Sequence, residues 1–245
     1  MNTRLIILLR GHVRDGLNDN SQLYDLIKEL NNQYDIEIYI HTWHIVQSNV
    51  SHRRMIQNNY PVTHDKINTY FKDLNSKIKH IIIDNDKNIQ LNGKTEGIIV
   101  GRCPLIGWKN MWYGKHRIIE YIAQQSHNSN VEKLPEIVLN MRFDILSVHT
   151  HALTIPRVCD FVKNKYAEKY EKNKFIYDQN GSGIDNIYIG SIDTQYKLIN
   201  HFHTNLDQII TENPSITCQE HLVFTENDKI FTAHIDECAS INATI

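Results

Sequence analysis

The chain is patterned as short apolar runs that each end abruptly in polar or charged residues. Thr3 to Leu9 (TRLIILL) is apolar enough to lie inside a sheet, and it runs straight into Arg10-Gly11-His12-Val13-Arg14-Asp15-Gly16. Asp35 to Thr42 (DIEIYIHT) alternates and predicts a second strand, ending in His41-Thr42-Trp43-His44. Lys79 to Asp84 (KHIIID) predicts a third strand that ends in acid. Ile137, Val138 and Leu139 follow Pro135 and form the core of Glu136 to Leu146 (EIVLNMRFDIL), the stretch around which the other elements are arranged. Val148 to Pro156, Phe175 to Tyr177, Asn186 to Ile189 and Lys229 to His234 also read as strands.

Between these runs, apolar residues recur at helical spacing. Leu23, Leu26, Ile27 and Leu30 predict a helix capped by Asn20 or Ser21. His64 to Leu74 predicts a short helix. Ile106 to Gln125 carries the strongest stripe: Trp108, Met111, Trp112, Ile118, Ile119 and Ile122, a pattern that suits a core face. Further helices are expected over Val158 to Lys174, over Ser191 to Ile210, and from Pro214 through Glu220, His221 and Phe224. Gln47 to Tyr60 reads as surface loop and helix, and Asn85 to Arg102 as loop. Strand–helix alternation predicts one α/β domain, with a mixed, mostly parallel sheet and helices on both faces.

Composition narrows the function. The 245 residues suffice for a full core. A net charge of −2 argues against nucleic-acid binding through bulk charge. The four cysteines show no CxxC spacing, so the sequence offers no zinc framework and fits a reducing compartment. No apolar run is long enough to span a bilayer, which leads to the expectation of a soluble, cytoplasmic protein.

The candidate chemistry lies at the strand ends. A basic, Gly-containing turn after a buried strand is the usual nucleotide position in an α/β fold. Arg142 and Asp144 sit two apart, so on a strand they share a face. Asp144 can hold a divalent cation or a ribose hydroxyl, and Arg142 can meet a phosphate or Asp144 itself; a plain ion pair closing the strand is equally open. His149 and His151 form an HxH pair with no third ligand in view. GxxxxGK[ST] and GxGxxG are both missing.

Taken in order, the motifs RGHVRD, IYIHTW, WKNMWYGKHRIIEYI, VLNMRFDIL, GIDNIYIGS and PSITCQEHLVF resemble a GT-A type glycosyltransferase family of bacterial surface-polysaccharide clusters and large DNA viruses. The resemblance covers roughly residues 3 to 235, with Arg-x-Asp in place of the usual Asp-x-Asp. It implies a nucleotide-binding half over about 1–146 and an acceptor half over about 147–245. It also implies that Arg10, Gly11, His12, Arg14 and Thr42 line the nucleotide pocket and that Trp112, Tyr113 and Lys115 face the donor. Asp144, steadied by Arg142, would bind Mn2+ or Mg2+, or else ribose. Asp185 and Asn186 would sit at the sugar and acceptor side, Glu220 with His221 would complete the acceptor or metal site, and Asp185 or Glu220 would be the catalytic base or acceptor anchor. The implied partners are a UDP- or GDP-linked sugar and a glycan or glycoprotein acceptor. Two other readings stay open: a different nucleotide-dependent α/β transferase, and a catalytically inactive module that binds glycans or a partner.

Overall fold

Strand β1 (Arg4–Arg10) is a run of Leu and Ile between two arginines, and it lies in the middle of the main sheet. The structure is a computed structural model that describes residues 4–48, 57–99, 103–128, 137–147, 153–166, 171–177, 183–216 and 218–242. The side chains of 126–128, 166, 177, 183–185 and 233–242 fall outside that description. Parallel to β1 on one side run β2 (Asp35–Trp43) and then β5 (Ile78–Asp84). On its other side runs β8 (Ile137–Arg142), also parallel. The sheet continues through β10 (Gly183–Ser191), antiparallel to β8, to β9 (Lys174–Tyr177) at the edge. The order is therefore β5-β2-β1-β8-β10-β9, a mixed and mostly parallel α/β sheet.

Strand alternation divides the core into two layers. Leu5, Ile7 and Leu9 of β1, with Leu139 and Met141 of β8, face one side. There they meet α1 (Leu23–Gln33), α2 (His64–Phe71) and α4 (Ile155–Tyr166). Ile6, Leu8, Val138 and Tyr188 face the other side, under α3 (Leu105–Asn128), α5 (Ile192–Glu212) and α6 (Gln219–Asn242). Two-stranded ribbons pair β3 (Ile45–Gln47) with β4 (Asn58–Pro61), and β6 (Ile98–Ile99) with β7 (Cys103–Pro104). Among the described residues, no helix is long and apolar enough to cross a membrane.

The structure differs from the sequence reading at several points. Lys229 to His234 is not a strand but part of α6. Its buried positions fall at Leu222 and Val223, then Glu226 and Asn227, then Phe231, which is helical spacing with two polar residues in the middle turn. That polar turn hid the stripe. α6 begins at Gln219 rather than at Pro214. Gln47 to Tyr60 contributes strand edges, with 49–56 outside the described residues. The HxH pair, His149 and His151, also lies outside them. Neither Asn20 nor Ser21 is the N-cap of α1; Gln22 is, without a side-chain cap. The Tyr70 hydroxyl instead accepts from Tyr24 N at 3.0 Å and shares a hydrogen bond with Ser21 Oγ.

Candidate functional site

Strand order reverses at β1: the chain builds outward through β2 and β5, then crosses back to β8. In open α/β sheets the ligand crevice lies outside the carboxyl ends of the strands at this switch point. The residues there are Arg10 and Arg142, which are direct register partners on β1 and β8.

The turn after β1 is tied to β2. Gly11 N donates to His41 O at 3.2 Å, and Thr42 Oγ1 donates back to Gly11 O at 2.9 Å. Gly11 has φ +90°, a conformation glycine adopts without steric cost. Arg14 has φ 46°, which costs a non-glycine residue about 1–3 kcal/mol. It is held there by Arg14 N donating to Val46 O at 3.0 Å. A Cβ built on Gly16 would lie 2.6 Å from Phe143 O, so this loop is pressed against the turn that follows β8. The close approach brings Arg14 to Asp144.

Asp144 is buried and engaged on both oxygens. Arg14 Nη1 donates to Oδ2 at 2.8 Å, Arg142 Nε donates to Oδ1 at 2.8 Å, and Arg142 Nη2 donates to Oδ2. Arg142 Nη1 also donates to Asn186 Oδ1 on β10 at 3.3 Å. Burial alone would raise the Asp144 carboxyl, but Arg142 and Arg14 outweigh it and hold the group down at about 2. Two guanidiniums thus share this one carboxylate.

His12 lies beside them, its ring 5.9 Å from Trp43. Burial, and then the Arg14 charge, lower it to about 3, so it is neutral at ordinary pH. Its Nε2 is buried without a hydrogen-bond partner among the described residues. Trp43 in turn stacks on Tyr113 at 6.1 Å. His41 Nε2 meets Asp84 Oδ2 at 3.2 Å, and Arg117 Nε approaches the same oxygen at 3.4 Å.

Arg10, Gly11, His12, Arg14, Thr42, Arg142, Asp144 and Asn186 are thus assembled at one sheet edge, with Tyr113 reaching it through Trp43. Trp112 is not presented to a donor: it is fully buried and stacked on Phe202 at 4.2 Å. Lys115 is equally buried, its Nζ 3.9 Å from the Trp112 ring centroid and 5.3 Å from that of Tyr188. Both corrections have one cause: the apolar stripe of α3 packs against the sheet and takes these residues with it. Glu220 stands in the first turn of α6, where Cys218 Sγ donates to Oε2 at 3.8 Å, and the neighbouring His221 is exposed. Asp185 precedes Asn186 on β10, with its side chain outside the described set.

The expected Mn2+ or Mg2+ does not fit the residues around Asp144. Its oxygens already accept from two guanidiniums, and a dication placed among them would meet repulsion on the order of several kcal/mol from each. Among the described residues, no three His, Cys, Asp or Glu side chains gather as a ligand set.

Two buried residues of the site escaped the sequence reading. Asn140 accepts from Arg10 Nε at 3.0 Å, and Gln195 accepts from Asn140 Nδ2 at 3.2 Å. The available signal was an Asn inside the otherwise apolar run IVLNM. No protein-family model matches the chain, and no curated protein matches it.

Proposed function

We propose that the chain is a glycosyltransferase that moves a sugar from a UDP- or GDP-linked donor to a hydroxyl of a glycan or glycoprotein. The observation that carries this reading is the pair of guanidiniums, Arg14 and Arg142, on the buried carboxylate of Asp144 at the topological switch point, with Arg10 the register partner of Arg142 on β1. Glycosyl transfer expels a nucleoside diphosphate, so negative charge grows on the leaving phosphates. Fixed guanidiniums in a partly desolvated crevice stabilise that charge, and Arg142 is already oriented by Asp144 and Asn186. On this reading the arginines supply the positive charge that a divalent ion supplies elsewhere. Neutral His12 offers its unpartnered Nε2 to the bound nucleotide. In an inverting reaction, Asp185 or Glu220 takes the proton of the acceptor hydroxyl.

A thermal-shift screen tests the donor class. UDP- or GDP-sugars at about 100 times their dissociation constant should stabilise the fold by about 2.7 kcal/mol. Stabilisation by S-adenosylmethionine instead would favour another transferase, and no stabilisation by any nucleotide would favour a binding module. With donor and acceptor in hand, Asp185→Asn and Glu220→Gln separate the base from the binding groups. The base variant should lose turnover while still binding donor, and full activity in both would remove these two residues from the mechanism.

A further inference from the structure

The geometry points to Asn140 and Gln195 as positioning residues: a buried amide relay from α5 through β8 that sets the guanidinium of Arg10 and so tunes the crevice for a diphosphate. The relay rests on the reading of this crevice as a diphosphate site. Val138, Asn140 and Arg142 share the face of β8 that lies under α3 and α5, and the surrounding layer is built from Ile6, Leu8, Tyr188, Leu198 and Ile199. Asn140 and Gln195 have no solvent exposure, and Arg10 has 2%.

Three hydrogen bonds run in one direction. Gln195 Nε2 donates to the backbone oxygen of Val138 at 3.1 Å. Asn140 Nδ2 donates to Gln195 Oε1 at 3.2 Å, and Arg10 Nε donates to Asn140 Oδ1 at 3.0 Å. Each end of this chain is chemically fixed. A backbone carbonyl can only accept, so Gln195 must turn its amide nitrogen toward Val138 and its oxygen toward Asn140. A guanidinium can only donate, so Asn140 must turn its oxygen toward Arg10. Neither amide can flip without breaking two bonds. Arg10 Nε is thereby held, through Asn140, from helix α5.

Stability does not call for this arrangement. Two amides placed in an apolar layer must be fully bonded merely to offset their own desolvation, so their net contribution comes through the partner they hold, Arg10. What the amides supply and apolar groups cannot is a fixed acceptor for Arg10. Arg10 is the backbone register partner of Arg142, so on the diphosphate reading a tethered Arg10 adds a second fixed arginine on the adjacent strand.

The test compares the parent with Gln195→Met, Asn140→Leu and the double variant, using two readouts. The first is hydrogen exchange of the Arg10 Nε–H by nitrogen-15 NMR; the second is UDP affinity by calorimetry. We expect faster exchange in each variant and UDP binding weakened roughly ten-fold, the size of one lost bond to a charged group. The variants carrying Asn140→Leu should lose some stability, because Arg10 Nε–H is left buried without this acceptor, so exchange and affinity are read on the folded variants well below their melting points. Parental exchange and parental affinity in the folded variants would overturn the relay. If the parent binds no nucleoside diphosphate, the donor reading fails, and Arg10 exchange alone decides: faster in the variants supports the relay, unchanged overturns it.

Discussion

Replacing Asp144 with alanine is expected to cost the fold about 3–5 kcal/mol, the usual effect of removing one partner from a buried ionic cluster. The loss comes from Arg14 and Arg142, which would be left side by side with no carboxylate between them. The pH dependence points the same way. With its carboxyl held at about 2 rather than near 3.8, Asp144 contributes about 2 kcal/mol that is present above pH 4 and lost as pH falls toward 2. Urea denaturation of parent and variant measures the first quantity. An added signature follows from the charge: a bound diphosphate takes over as counterion, so UDP should raise the melting temperature of the variant more than that of the parent. A variant with parental stability that loses the UDP effect would mean instead that Asp144 touches the ligand directly.

Acid should weaken the fold long before Asp144 titrates. Burial and Arg14 lower His12 to about 3, and burial and His116 lower His203 to about 4. Burial lowers His41 and His116 as well. The unfolded chain takes up these protons near pH 6.5, while the folded chain refuses them. Stability is therefore fully present above pH 6.5 and declines as pH drops toward 4, by on the order of 2–4 kcal/mol. Urea midpoints at pH 7.5, 5.5 and 4.5 should fall in that order, and His12→Gln with His203→Gln should flatten the decline. Equal midpoints at all three pH values would contradict the burial of these rings.

The parallel strands were legible because their apolar runs are short and end in charge, as with TRLIILL before Arg10 and IVLNMR before Asp144. That pattern also placed the arginines, because the carboxyl end of a buried strand fixes where the next residues go. What the sequence concealed were contacts set by packing between distant elements. Nothing in the β1 turn says that Gly16 must sit against Phe143, yet that approach delivers Arg14 to Asp144. The helical stripe put Trp112 in the core while the family resemblance put it and Lys115 at the donor, and the packing of α3 on the sheet buries both. The stripe of α6 was hidden by Glu226 and Asn227, which are buried through bonds to partners far along the chain, His201 at 3.0 Å and Asn173 at 3.2 Å. Asn140 stands alone among apolar neighbours in the sequence, and its partner Gln195 is 55 positions away.

On the proposed reading, guanidiniums without a divalent ion bind the diphosphate at the β1–β8 switch point. Calorimetric titration of UDP and GDP into the parent, Arg14→Ala and Arg142→Ala, in EDTA and again in Mn2+, tests it most directly. Parental affinity should be equal in the two buffers, and each arginine variant should lose about 1.5–3 kcal/mol of binding. A rise of ten-fold or more with Mn2+, together with parental affinity in both arginine variants, would contradict it.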